Sequence, residues 1–171
     1  DVNIERKNEM IEAPEARILC RQLNETVRGK KITDVYTQFS PHKFVWFTGS
    51  SEEYAEQLSG KTIDHAQSQG GMVEITIGDK VLILTDGVNL RYLAPGSKLP
   101  AKHQLLIAFE DESCLVASVR MYGGLMCYDK DAADGVLSNY YLTARSKPQV
   151  MSDGFSPEYF LGLINADSAQ K

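Results

Sequence analysis

At 171 residues, 43% of them hydrophobic, the chain is long enough to bury roughly 70% of its unfolded surface in one core without disulfide help. Its formal net charge of -5 argues against indiscriminate binding to nucleic acid or membranes, though it says nothing of a local basic face. Cys20, Cys114 and Cys127 are widely spaced, no apolar run approaches the roughly 20 residues of a membrane span, and DVNIERKNE is too charged for a signal peptide, so a soluble cytoplasmic protein is expected.

The first predicted element is a helix from Pro14 to Arg28. Ala16, Leu19, Leu23 and Val27 recur at helical spacing and Gly29 stands where a C-terminal cap belongs. Glu12 and Glu15 flank Pro14 at its entry, where acidic groups complement the helix dipole. Arg17, Arg21 and Arg28 form a stripe away from the apolar face. Residues 32–39, a turn at 40–43 and FVWF at 44–47 read as a hairpin, and residues 50–60 as a short helix packing through Tyr54, Ala55 and Leu58. Strands are then predicted at 62–67, 72–77, 81–84, 89–93, 103–109, 114–119 and 125–128, several separated by tight turns. A last helix begins near Ser156, with Pro157 at its first position and Phe155 set to staple against Phe160. The fold class is mainly β with α, an α+β chain. Its expected form is an antiparallel β-sandwich or flattened barrel flanked by an N-terminal helix and a second short helix.

Residue types alone offer little chemistry. There is no P-loop, HExxH, serine triad order or dinucleotide fingerprint, and His42, His65 and His103 read as structural. What remains is the acidic helix entry, the glycine pair in QGGM at 69–72, and SVRMYGG at 118–124. In the last, Arg120 and Tyr122 would project from one strand face, either to cap a core edge or to meet a stacked base.

Taken in order, these pieces resemble the N-terminal domain of the formamidopyrimidine-DNA glycosylase and endonuclease VIII family. The resemblance runs from Met10 to about Ile164. MIEAPEARILCRQLNETVRGKKI is similar to that family's opening, LILTDGVNLRYL to the strand and loop around its intercalating residue, LVASVRMYGG to its Asp-Pro-Arg-Arg-Phe-Gly segment, and KHQLLIAF and SDGFSPEYF to its KH strand and its exit from the domain.

The resemblance implies a base-excision repair glycosylase and AP lyase acting on damaged double-stranded DNA, with no membrane partner. In such enzymes an N-terminal proline attacks the sugar and a neighbouring glutamate manages protons. The matching positions here are Ile11 and Glu12, with Ile11 usable only if processing exposes its amine. The family's hairpin lysine falls at Gly71. Its Arg-Arg-Phe falls at Arg120, Met121 and Tyr122, and its void-filling methionine at Val88, with Asn89 and Arg91 beyond it on the same DNA-facing strand. Residues 1–10 read as an N-terminal extension or cloning remnant, 11–150 as the glycosylase-like domain, and 151–171 as a linker and the start of a following helix. The family's DNA clamp and zinc finger are expected outside this chain, so no cofactor or metal is expected within it. An inactive nucleic-acid-binding or protein-interaction module on the same fold is the alternative reading.

Overall fold

The computed structural model describes residues 10–132, 139–150 and 152–168. Helix α1 (Ala13–Thr26) leads into β1 (Ile32–Thr37), β2 (Val45–Phe47), a 3-10 turn at Ser51–Glu53 and α2 (Tyr54–Leu58). There follow β3 (Ile63–Gln69), β4 (Met72–Ile77), β5 (Lys80–Leu84), β6 (Val88–Leu93), β7 (Leu105–Phe109), β8 (Cys114–Val119) and β9 (Gly123–Asp129). Helices α3 (Asn139–Arg145) and α4 (Pro157–Ser168) complete the described chain.

The strands form a four-stranded sheet, β1-β7-β8-β6, and a five-stranded sheet, β2-β9-β5-β4-β3. Mixed α and β content with antiparallel pairing and flanking helices is the expected class. The hairpin expected over residues 32–47 does not form. Gln38 takes a positive φ of 54 and its N–H, with that of Ser40, extends the ladder toward Gln104 and His103, so β1 stays with β7. Residues beyond it cross to the other sheet, where β2 runs parallel to β9, an exception to the antiparallel pattern.

One core is built from both sheets and α1. Alternate residues, such as Val73, Ile75 and Ile77 of β4 and Leu105 and Ile107 of β7, face it. Leu19 and Leu23 of α1 seal one side, each contributing about 1.5–3 kcal/mol by burial. Tyr54 is fully buried; its hydroxyl donates to Leu125 O at 2.8 Å and accepts from the N–H groups of Thr48 and Cys127, both at 3.0 Å. Burial pushes that hydroxyl up to about 12.

Every residue of β4 is buried, on both faces, and on the outer one Tyr141 of α3 packs with Met72 and bonds to Glu74. Met72, Ile83 and Tyr141 form a second cluster there, with Met126, Leu142 and Ala144 packed on it. Helix α3 has no counterpart among the elements predicted from the sequence. At α4 the Ser156 hydroxyl accepts from Tyr159 N at 3.2 Å and Phe155 lies 6.2 Å from the Phe160 ring, the capping arrangement its sequence indicates.

Candidate nucleic-acid interface

Two crossings between the sheets lie side by side at one end of the molecule. Thr85, Asp86 and Gly87 carry the chain from β5 into β6, and Arg120, Met121 and Tyr122 carry it from β8 into β9. Their backbones are fastened together. Gly87 N donates to Tyr122 O and Arg120 N donates to Gly87 O, both at 2.9 Å. A Cβ on Gly87 would lie 2.0 Å from Arg120 O and 2.7 Å from Tyr122 O, so the approach admits only glycine.

The entry to α1 joins the same assembly. Ile11 N donates to Asp86 O at 2.7 Å, and Ile11 itself is buried in the core. Glu12 is the N-cap residue through its main chain, with Ala16 N donating to Glu12 O at 2.8 Å; its exposed carboxylate makes no capping bond. On the other side, a Cβ built on Gly71 lies 3.1 Å from Ile11 O. The helix entry, the QGGM turn and both sheet crossings therefore meet, bringing together Ile11, Glu12, Gly71, Arg120 and Tyr122.

Exposed side chains crown this frame. Met121 is 57% and Tyr122 38% exposed, and Arg120 stands beside them in solvent. Arg120 and Tyr122 sit on a turn, not on the strand face expected, because Met121 adopts φ 59 and breaks the alternation. Trp46 of β2 meets Tyr122 edge to face, with ring centroids 6.0 Å apart at 63°. A cavity of about 290 Å³ opens between Ile11, Gly71, Asp86, Trp46 and Tyr140. Within it the Thr85 hydroxyl donates to Asp86 Oδ2 at 2.6 Å and accepts from Gly124 N at 3.1 Å, which fixes the acidic wall.

The remaining candidates stand elsewhere. Val88 is buried at 2% exposure, paired with Val119 and packed in the core, so it is no surface wedge; the partly accessible residues of its turn are Thr85 and Asp86. Asn89 is also buried, opposite Ser118, and its Oδ1 has no hydrogen-bond partner among the described residues. Arg91 is half-buried further along β6, opposite Val116, away from the crossings. Asp86, Gly87 and Trp46 are not among the site residues expected from the sequence, although FVWF and LILTDGVNLRYL contain them. The Asp-Gly dipeptide signals a turn but not what the turn touches, and alternation within FVWF gives no hint of which residue faces out.

Behind the site, the β3–β4 hairpin is held by side chains. Buried Glu74 accepts from Tyr141 OH at 2.5 Å, Gln67 Nε2 at 2.7 Å and Gln69 Nε2 at 3.3 Å. Burial and the adjacent carboxylate raise the Tyr141 hydroxyl above its usual range, which keeps it a donor. Gln149 Oε1 accepts from Gly70 N at 2.6 Å, while its Nε2 donates to Gln69 Oε1 and to Ala144 O. Cys20 and Cys127 are buried thiols pushed up to about 12 and about 11, chiefly by desolvation. Among the described residues no group of three or more His, Cys, Asp or Glu side chains is placed to hold a metal, and no helix is long and apolar enough to cross a membrane.

Residues 10–103 match the formamidopyrimidine-DNA glycosylase N-terminal domain. The chain is 24% identical over 159 residues to the formamidopyrimidine-DNA glycosylase of Streptococcus pneumoniae, covering 91% of this chain and 55% of that protein. It thus spans about half the length of that curated relative. Among solved structures it is similar to the Lactococcus lactis Fpg in complex with abasic-site DNA, at 24% identity and a TM-score of 0.60 over 70% of this chain and 45% of the other. The same Lactococcus lactis protein in complex with FAPY-dG DNA gives 24% identity and a TM-score of 0.60 over the same shares, 70% and 45%. The family match covers more than half of the chain, and the chain belongs to the formamidopyrimidine-DNA glycosylase N-terminal domain family.

Proposed function

We propose that this domain recognises damaged double-stranded DNA within a base-excision repair protein, and that it does so without the Schiff-base chemistry expected of a glycosylase with lyase activity. The observation that carries this reading is the Gly87 junction, which presents Arg120 and Tyr122 as an exposed pair directly beside the Ile11–Glu12 entry. An arginine and an aromatic ring on a rigid turn suit a DNA site where a nucleotide has left the stack, because unstacking costs a few kcal/mol that inserted side chains must offset. The Lactococcus lactis relative, bound to abasic-site and FAPY-dG DNA, supports the partner class.

The chemistry is another matter. Ile11 N is an amide joined to Met10 and donates its N–H to Asp86 O at 2.7 Å, so it carries no nucleophilic lone pair. No ammonium stands at Gly71, and a second arginine is replaced by Met121. Glu12 keeps an accessible carboxylate, but with Met10 attached the residue beside it offers an amide and not an amine. Borohydride trapping on an abasic-site duplex tests this directly: no covalent adduct is expected, together with binding that Arg120→Ala weakens more on the abasic duplex than on the intact one. A trapped adduct sinks the non-catalytic part, and equal losses on both duplexes sink the recognition part.

A second reading, a fold used for protein contact, is favoured by α4. Its Phe160, Leu161, Leu163 and Ile164 are each about half exposed, at 49%, 56%, 47% and 47%. A strict monomer in sedimentation removes self-association from that reading.

A further inference from the structure

We propose that Trp46 is a stacking platform for an unpaired nucleobase, with Arg120 and Lys43 placed to take the neighbouring phosphates. The inference rests on the DNA reading above and narrows its substrate class to duplexes that carry a locally unstacked base.

The placement follows from strand alternation. In β2, Val45 and Phe47 pack against the core, so the residue between them must face out. Trp46 is opposite Gly124 on β9, which has no side chain to cover the indole, and it is 51% exposed. Leaving so large an apolar ring in water forgoes much of its burial energy, which an ordinary surface position would not require. Tyr122 braces the ring by a T-shaped contact with centroids 6.0 Å apart, and the half of Trp46 left in solvent is what a planar partner would cover.

The surroundings favour a base in a DNA strand over other planar ligands. Phe44, 52% exposed, extends the aromatic surface along the same edge, and Lys43 Nζ lies 5.6 Å from its ring centroid. Arg120, exposed two residues before Tyr122 on the same turn, supplies a second cation. Aromatic rings between cations match an alternation of bases and phosphates along a strand. With a net charge of -5 and few local cations, phosphate attraction alone gives a weak grip, and stacking, which tolerates any base, supplies the selectivity for unpaired positions.

Trp46 is the sole tryptophan of the chain, so its emission reports on this contact alone. Fluorescein-labelled duplexes of one sequence, intact, with a single abasic site, and with a single-base bulge, are titrated against the full chain, reading label anisotropy and tryptophan emission together. The expected result is binding to the abasic and bulged duplexes accompanied by quenching, with Trp46→Ala losing about tenfold or more in affinity for those two and Trp46→Phe losing less. Both variants are checked by circular dichroism and thermal midpoint, which an exposed position leaves unchanged. Binding without any change in emission, or Trp46→Ala binding as tightly as the parent, overturns the stacking role and leaves the DNA reading standing. No anisotropy change with any duplex overturns the DNA reading itself, and the inference with it.

Discussion

The two regions that meet at Ile11 are held by opposite means. At the sheet crossings the bonds that join the two turns to each other and to the helix entry run from backbone to backbone, Gly87 to Tyr122, Arg120 to Gly87 and Ile11 to Asp86, with the Thr85 hydroxyl holding Gly124 N beside them, and Arg120, Met121 and Tyr122 are left in solvent. At the β3–β4 hairpin, side chains do the fastening: Glu74, Tyr141, Gln69 and Gln149 are bonded to one another or to main chain, largely away from water. The regions touch at Gly70 and Gly71, where the network's last bond, Gly70 N to Gln149 Oε1, lies one residue from the close approach to Ile11 O. A frame made of main chain keeps its side chains available for a partner, whereas a frame made of side chains has spent them on the fold.

The sharpest way to break this contrast is Gly87→Ala. The added Cβ meets backbone carbonyls at 2.0 and 2.7 Å, and neither can swing aside as a flexible side chain would. A loss of at least about 3 kcal/mol is expected. For a chain of this size that lowers the thermal midpoint by roughly 6–12 °C. A midpoint within a degree or two of the parent means the crossings are not held by this junction.

The corresponding test of the hairpin is Tyr141→Phe, which leaves a buried carboxylate without its closest donor. A cost of about 1.5–3 kcal/mol is expected from urea unfolding, the range for a hydrogen bond to a charged group. The pH dependence should change as well. The Tyr141 hydroxyl is raised in the folded state, so its contribution is complete below the unfolded value of about 10 and is lost as pH climbs through the higher folded value. The parent should therefore lose stability above pH 10 more steeply than Tyr141→Phe.

Most of the frame is legible in the sequence because its signals are local. The bounds of β4 and β8 are those the alternation gives, and α1 departs by a residue or two. What escapes is whatever depends on a distant partner. β2 looks like the second arm of a hairpin until its pairing with β9 is known, and Val88 looks like a wedge until Val119 is found opposite it. Residues 139–145 carry no strong apolar period, so α3 appears only once Met72 and Ile83 supply the surface that Tyr141 covers. Of the site, Ile11, Glu12, Gly71, Arg120 and Tyr122 are reachable by resemblance, while Asp86 and Trp46 acquire their positions only through the crossings and the edge strand.

If the exposed turn is free of structural duty, a charge added there should change binding and little else. Met121→Arg keeps the φ of 59 that any non-glycine residue there must bear, so stability should stay within about 0.5 kcal/mol of the parent. The slope of log affinity against log salt should steepen by about 0.9 if the new cation reaches a phosphate. A large stability change would show that Met121, despite its 57% exposure, is part of the frame.

The smallest effect isolates burial from the mere number of side-chain bonds. Asp111, in the turn between β7 and β8, accepts from Lys30 Nζ and from the hydroxyl and N–H of Ser113, nearly as many partners as Glu74 has, but its side chain is 51% exposed. The Lys30 ammonium, then Ser113, hold its carboxyl down to about 2. A depressed carboxylate stabilises the fold above its unfolded value near 3.9, and that contribution is lost as pH falls toward 2. Solvent screening limits it to the range of surface pairs, about 0–1 kcal/mol. Lys30→Ala should flatten the acid limb of the stability curve between about pH 4 and pH 2 while costing less at neutral pH than Tyr141→Phe. If it instead costs as much as Tyr141→Phe, the strength of the hairpin comes from its bonds and not from their exclusion from water.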